Sequence, residues 1–472
     1  MKACVEPLEL ALPLDRYIDA FPRQMGTFLL DGAGPRTRAS MLGAAPFLTF
    51  RAWRQTGSNN ARIVVKGAGR HDELVGDPFA MLRELLARYA PSFPSRPLPF
   101  MAGAVGYFGY EVGQWLERLP KLPRPGDGMP DVAFGFHRWV LGTTDQGAFL
   151  SIASEDPDAT RAEIIAVLRA FESRAEPLPH PTAPVPQLED FDSLARSLGV
   201  RRSVSHEQYV QKVHDVKKHL DAGDAYEVCL THALDAPFAG DPARLFRALR
   251  HASPAPYAAL LDLPEGAVVS SSPECFVSLD ARGAVESRPI KGTRPRGASE
   301  AEDVALASDL AENEKDRAEN AMIVDLVRND LGRVCRWGSV EVPAFGVVEP
   351  YASVHQLVST VRGELAPGCD ALDVIRACFP PGSMTGAPKI EAMRILEGLE
   401  PLERGVYSGA LGFLDFDGTM DFSVVIRTVV AKGERATFHV GGAVVADSDA
   451  ESEHTETLHK ARAILGALAS MR

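Results

Sequence analysis

The chain has 472 residues, 45% hydrophobic and 24% charged, an ordinary globular composition that is long enough to bury a large core without disulfide or metal staples. Its 50 Lys and Arg against 63 Asp and Glu give a formal net charge of −13, which argues against a nucleic-acid partner, because phosphate contacts need clustered cations; a small anionic substrate needs only a few local ones. The six cysteines (Cys4, Cys229, Cys275, Cys335, Cys369 and Cys378) form no CxxC pair, so a zinc ribbon or redox motif is not expected, and free thiols in a reducing compartment are.

The N-terminal MKACVEPLELALPLDRY carries acids and prolines through its apolar stretch, unlike a signal peptide. No apolar run reaches the roughly 18 residues of a membrane span. A cytoplasmic location with no membrane association is the expectation. Amphipathic helices are predicted over Pro78 to Tyr89 and Asp158 to Ser173. Between them, PFMAGAVGYFGYEVG places glycines 103, 106 and 109 among apolar residues, as close strand packing requires. EPLPHPTAPVP, from Glu176, is no helix and favours extended backbone. It divides the chain into an N-terminal region 1–175, a Pro-rich linker 176–200 and a larger region 201–472, unless strands on either side pair and it is a loop over a continuous fold. The larger region opens with a helix from His206 to Ala222, stopped by Gly223, then a strand, AYEVCLTHAL. AVVSSSPECFVSL and AVESRPIKG read as further strands, Asp303 to Leu331 as mostly helical, and Asp417-Gly418 as a hairpin turn. A helix from Ser448 to Met471 closes the chain.

Two acidic pairs stand out. Asp316 and Glu319, and Glu453 and Glu456, are each spaced i, i+3 and share one helical face. Facing helices with such pairs can hold a hard cation through oxygen, as Mg²⁺ prefers, although spacing alone fits two solvated faces better. In SRPIKGTRPRG, Lys291 lies between a strand end and a Gly-Thr turn, with Arg288, Arg294 and Arg296 nearby. It becomes a nucleophile if burial or cations lower its pKa; the simpler alternative is a loop lysine. FPPGSMTGAPK leads into a helix and offers backbone N–H groups to an anion, but lacks the ending of a Walker A loop. In the strand DFSVVIRT, period 2 puts Ser423, Val425 and Arg427 on one face, where an arginine can clamp a carboxylate. A lone His355 in YASVHQLVSTV is by itself more simply a core histidine.

SRPIKGTRPRG, DRAENAMIVDLVRNDLGRV, SVHQLVSTV, PPGSMTGAPK, ERGVYSGALG and VGGAVVADSDAESEHTE, in that order, resemble the chorismate-utilising enzymes, most strongly from Ser205 to Met471. The resemblance implies an α/β (α+β) fold in which two large antiparallel sheets face each other with helices outside. It implies that Glu319 and Glu456 bind Mg²⁺, with Asp316 and Glu453 in or near its shell, and that the metal anchors one chorismate carboxylate. Arg427, Tyr407 and Lys460, with backbone N–H groups around Gly441, Gly442 and Ala443, then meet the other anionic end. Thr293 and Ser383 line the pocket, and His355 and Glu274 assist departure of the ring hydroxyl.

Within the family, Lys291 stands where most members carry alanine and matches the branch that aminates chorismate at C4, where the lysine adds to ring C2 before ammonia enters. Glu227 stands where the water-using members carry a lysine. Both point to 4-amino-4-deoxychorismate as product; the rival expectations are an anthranilate-forming enzyme and a non-catalytic chorismate-binding protein. Cys275 and Gly32 depart from the family pattern, the latter where members with a tryptophan pocket carry serine, so no feedback regulation is expected. No cysteine sits in a GxCxG elbow, so ammonia is expected from a separate glutamine amidotransferase small subunit.

Overall fold

Along the central strands, successive apolar side chains go to different cores. In Ala410–Asp415, Leu411 and Phe413 join one cluster while Ala410 and Leu414 join another. In Tyr257–Leu263, Ala259 and Leu261 share the cluster of Leu411, and Ala258 and Leu260 face a third. This period of two is what a sheet covered on both faces requires. The computed structural model describes residues 1–33, 39–55, 60–117, 119, 124–178 and 183–472. Among these, two twelve-stranded sheets face each other over the shared cluster, and helices cover both outer faces. The expected two-sheet antiparallel sandwich with outer helices is the fold observed.

The first sheet runs in the order Lys2–Leu8, Gly147–Ser154, Trp139–Thr144, Ser40–Gly43, Thr27–Leu30, Tyr257–Leu263, Gly266–Ser272, Thr428–Lys432, Arg435–Val444, Glu227–Pro237 and Arg201–Arg202, with Gly386–Ala387 also pairing with Glu227–Pro237 as the twelfth strand. The second runs Ile290–Pro295, Val354–Glu364, Ala284–Arg288, Cys275–Leu279, Met420–Val424, Ala410–Asp415, Gly103–Phe108, Val132–His137, Leu48–Arg54, Ala61–Gly67 and Arg70–Gly76, with Glu341–Pro350 also pairing with Val354–Glu364 as the twelfth. Strands from before and after the proline-rich stretch pair in both: Leu261 with Phe28 in one, Gly412 with Gly106 in the other. The boundary drawn at residues 176–200 therefore separates no sheets, and that stretch, of which residues 179–182 lie outside the described residues, joins parts of one sandwich.

Local capping explains the helices. Pro78–Tyr89 starts on Asp77, whose side chain accepts from the Phe79 N–H at 2.9 Å. His206–Asp221 has a capping box of Ser205 and Gln208. The stretch expected to be mostly helical from Asp303 breaks once: Asn313 ends Glu300–Glu312 and its side chain accepts from the Asp316 N–H at 3.0 Å, starting Glu314–Gly332. The break aims Asp316 and Glu319 from a fresh helix N-terminus.

Two expected strands are each two strands in different sheets. AVVSSSPECFVSL divides at Pro273 and Glu274 into Gly266–Ser272 of the first sheet and Cys275–Leu279 of the second. DFSVVIRT divides at residues 425–427 into Met420–Val424 of the second and Thr428–Lys432 of the first. The two crossings run side by side: the Ser271 N–H donates to the Arg427 carbonyl at 3.1 Å, and the Val424 N–H to the Glu274 carbonyl at 3.0 Å.

Arg404 pins the sheets behind this crossing. It is 1% exposed, and its guanidinium donates to Glu400 (2.7 and 2.8 Å), the Met384 carbonyl (2.6 Å) and the Cys229 carbonyl (2.7 Å). Glu400 also accepts from the Thr231 N–H and hydroxyl, each at 2.9 Å. Removing one partner of such a pair strands a buried charge, so Arg404→Met is expected to cost about 3–5 kcal/mol in denaturant unfolding. A loss under about 1 kcal/mol would mean that Glu400 finds another donor.

Candidate active site

Lys291 lies on Ile290–Pro295 of the second sheet and Glu227 begins Glu227–Pro237 of the first. The Lys291 ammonium donates to Glu227 Oε1 at 2.6 Å and stands 3.9 Å from Glu319 Oε2, bridging the sheets. Burial alone would lower the lysine, but the charges of Glu227 and Glu319 outweigh it and hold the ammonium well above its ordinary value. The sequence left open a nucleophile activated by lowering. In the resting arrangement the opposite holds, because carboxylates rather than the neighbouring arginines face Nζ. The arginines are occupied elsewhere: Arg288 with Glu349, Arg294 with Asp309 and Asp316, and Arg296 with Asp303.

Glu314–Gly332 and the closing helix Ala450–Ala469 bring the two acid pairs to this point. Lys315 lies 3.9 Å from Glu319 and 4.0 Å from Glu453, so the helices face each other across one ammonium. Burial raises the carboxyl of Glu319 to about 7 even with Lys291 beside it, and raises Glu453 as well. Burial acts the same way on Glu456, but Lys460 at 2.7 Å reverses it and leaves that carboxylate below its ordinary value. Asp316 is held by Arg294 at 3.0 Å. Each acid thus stands beside a cation, with Glu319 and Glu453 sharing Lys315, and among the described residues no three metal-type ligands form a closed cluster. The donor set nevertheless suits a hard cation: these are oxygen ligands, and Glu453 Oε2 is buried with no hydrogen-bond partner while Oε1 accepts from Ser448 at 2.6 Å. Two glycines make room for the acids. A Cβ at Gly442 would fall 2.7 Å from Glu453 Oε2, and one at Gly292, where φ is +81°, would fall 2.8 Å from the Asp316 carboxyl carbon.

Glu274 sits at one sheet crossing, 5% exposed, and burial lifts its carboxyl to about 7 against the lowering effect of the Ser383 hydroxyl and nearby Lys291. Ser383 therefore meets the acid directly. Arg427 sits at the adjacent crossing. Its φ of 50° is uncommon for a residue with a side chain and breaks the alternation read from the sequence. Burial pulls its guanidinium below its ordinary value, and among the described residues no carboxylate lies within 4.0 Å of it. A partly buried cation without an acid is what an anionic ligand requires.

Tyr407 is buried and stacked on His439 at 5.1 Å between ring centroids. Lys460 also donates to the Gly441 carbonyl at 2.7 Å. Gly441, Gly442 and Ala443 pair with Thr231, Leu230 and Cys229, whereas Thr428–Lys432 pairs with their strand only as far as Phe438, leaving their other edge uncovered by that strand. Thr293 is exposed on the Lys291 strand. His355, 4% exposed, pairs in register with Arg294; its Nε2 lies 2.9 Å from Asp303, and its Nδ1 is buried without a partner.

A cavity of about 1120 Å³ lies elsewhere between the sheets, lined by Gly32, Met41, Tyr257, Arg288 and Asp421, and it includes neither Lys291 nor the four acids. A small void of about 20 Å³ adjoins Glu274 and Ser383. Size and chemistry point to different places, and the convergence of titratable groups marks the candidate site. Sequence reasoning missed Lys315, Ser448 and Arg404. Lys315 and Glu319 are spaced i, i+4, a pairing signal that was readable.

The chain belongs to the chorismate binding enzyme family, whose model matches residues 37–466. An aminodeoxychorismate synthase of Streptomyces pristinaespiralis is 45% identical over 420 residues, 87% of this chain and 57% of that protein, so the chain spans little more than half its length. The aminodeoxychorismate synthase component 1 of Klebsiella aerogenes is 41% identical, covering 84% of this chain and 83% of that one. The anthranilate synthase component 1 of Streptomyces coelicolor (strain ATCC BAA-471 / A3(2) / M145) is 40% identical, covering 83% and 78%. The crystal structure of anthranilate synthase component I from Streptococcus pneumoniae TIGR4 superposes with a TM-score of 0.76 at 28% identity over 96% of this chain and 97% of that one. No helix of the described residues is long and apolar enough to cross a membrane.

Proposed function

We propose that this chain aminates chorismate at ring C4, giving 4-amino-4-deoxychorismate for p-aminobenzoate and folate synthesis, as the large subunit of an aminodeoxychorismate synthase. The observation that carries the reading is Lys291, a buried primary amine 2.6 Å from a buried carboxylate where the two sheets meet. A lysine is rarely buried unless paired, and here it is paired where the acids converge. Once deprotonated, Lys291 adds through its lone pair to ring C2. The ring double bonds shift and the C4–O bond breaks, its electron pair leaving on oxygen. Protonated Glu274 donates to that oxygen, which departs as water, with His355 assisting. Ammonia then forms the C4–N bond, the double bonds shift back, and the C2–Nζ pair returns to Lys291.

Arg427 meets one anionic end of chorismate, with Tyr407, Lys460 and the backbone around Gly441, Gly442 and Ala443, while Thr293 and Ser383 flank the ring. Glu319 and Glu456, with Asp316 and Glu453 beside them, hold Mg²⁺, which when bound supplies the positive charge that anchors the other carboxylate. Arg427→Lys keeps the charge but loses the fork, so the chorismate KM is expected to rise about ten- to a hundredfold with a smaller change in kcat. An unchanged KM in steady-state assays would remove Arg427 from the substrate.

Ammonia comes from a glutamine amidotransferase small subunit, in keeping with the "component 1" in the names of relatives. The reading is tested by incubating the protein with chorismate, Mg²⁺ and an ammonium salt and analysing products by liquid chromatography and mass spectrometry. A non-aromatic product that keeps the enolpyruvyl group, with amine in place of hydroxyl, is expected. Anthranilate and pyruvate would instead establish the second reading, an anthranilate synthase large subunit, which the similarity to such enzymes supports.

A further inference from the structure

Glu227 has one oxygen to spare. Its residue is 0% exposed, Oε1 accepts from Lys291 at 2.6 Å, and Oε2 is buried with no hydrogen-bond partner. Its backbone is fixed: Glu227 pairs with Ala387, and a Cβ on the adjoining Gly386 would fall 2.1 Å from the Glu227 carbonyl oxygen. A carboxylate oxygen taken out of water without a donor is costly, so a built site that contains one is a site for a donor. The nearby cation, Lys291, is already shared between Glu227 and Glu319. Chorismate brings carboxylates, which Glu227 would repel. The one reactant of the proposed amination that brings N–H donors is the nitrogen nucleophile.

We infer that Glu227 Oε2 binds the incoming ammonia and orients it for attack beside the amine that it displaces. This rests on the amination reading above. Ammonia donates one N–H to Oε2 and keeps its lone pair for ring C4. As the C4–N bond forms, the C2–Nζ bond breaks and its electron pair returns to Lys291, so no proton has to leave the site during the exchange. A lysine here in place of Glu227 would present a donor to a nucleophile that needs an acceptor.

The test uses the full chain with ammonium chloride as nitrogen source, without an amidotransferase. In Glu227→Gln, which is nearly isosteric but uncharged, the KM for ammonium is expected to rise about tenfold or more through loss of the charge-assisted bond, while the chorismate KM stays within about twofold. The Lys291–chorismate adduct, followed as intact-protein mass without ammonia, still forms. Glu227→Asp, which keeps the charge but shortens the reach, falls between wild type and Gln, and it carries the same ratio of KM values should Gln prove insoluble. An unchanged ammonium KM in these variants, or loss of the adduct, would overturn the inference and leave Glu227 as a partner of Lys291 alone. Wild type run in parallel separates the two readings: no adduct and no aminated product there would remove the amination itself.

Discussion

Lys291→Ala is expected to lower chorismate amination by about a thousandfold or more, roughly 4 kcal/mol of barrier, while chorismate still binds with an affinity within a few-fold of wild type. The size follows from what is removed. On the proposed function the amine is the nucleophile of the first step, and the groups beside it, Glu227 and Glu319, are carboxylates rather than amines. Alanine also leaves Glu227 buried without its cation, a loss that can reach about 3–5 kcal/mol of stability. A second variant separates the effects. Lys291→Arg keeps a positive charge for Glu227 and Glu319, but a guanidinium does not deprotonate in proteins and cannot add to C2. It is therefore expected to melt near wild type, to form no adduct and to aminate as poorly as alanine. Product analysis, calorimetric titration with chorismate and intact-protein mass give the readouts. Turnover by Lys291→Arg at more than a tenth of the wild-type rate would show that no covalent lysine is needed.

Glu274→Gln is expected to cost about a hundred- to ten-thousandfold in adduct formation, the usual span for a general acid. The pH dependence gives a sharper test. The carboxyl of Glu274 is lifted to about 7 by burial. An acid must carry its proton to work, so its contribution is present below about 7 and is lost as pH rises through that value. Lys291 opposes this limb, because it must lose a proton and is held as an ammonium by Glu227 and Glu319. Because above about 7 the lysine gains with pH what the acid loses, the single-turnover rate of adduct formation, measured without ammonia so that the ammonium equilibrium plays no part, should rise with pH and level off above about 7. In Glu274→Gln the levelling should disappear and the rise continue past that value. Persistence of the levelling would assign it to another group with a similar value, of which Glu319 is one.

The sequence made many of the helices legible, because Pro78–Tyr89, His206–Asp221 and Ala450–Ala469 among them start on a side-chain cap. Pro78–Tyr89 is found with the bounds expected, and the closing helix falls within two residues of them. The strands that change sheets were not legible. Ser270 to Phe276 reads SSSPECF and Phe422 to Thr428 reads FSVVIRT, and neither holds a glycine, so each passes for part of one continuous strand. Only Pro273 hinted at a break. The acid pairs were visible from spacing, and the family resemblance named most of the candidate site. What neither could supply was the partner of each charge. Lys291 looked like a lysine among arginines, and those arginines turn to Glu349, Asp309 and Asp303 in space. Arg404 stands four residues after Glu400 but outside any helix, and its other partners come from segments near residues 229 and 384, so nothing in its spacing marked it.

The paired sheet crossings have a consequence for selectivity. Glu274 and Arg427 stand on two backbone segments tied to each other by main-chain hydrogen bonds, and each segment is anchored in both sheets. On the proposed function, in which Glu274 is the proton donor and Arg427 the anion anchor, the span between them is a ruler cut into the scaffold. A molecule whose departing hydroxyl and distal carboxylate are spaced differently is then expected to engage one end of the ruler or the other, and to be rejected by length rather than by affinity.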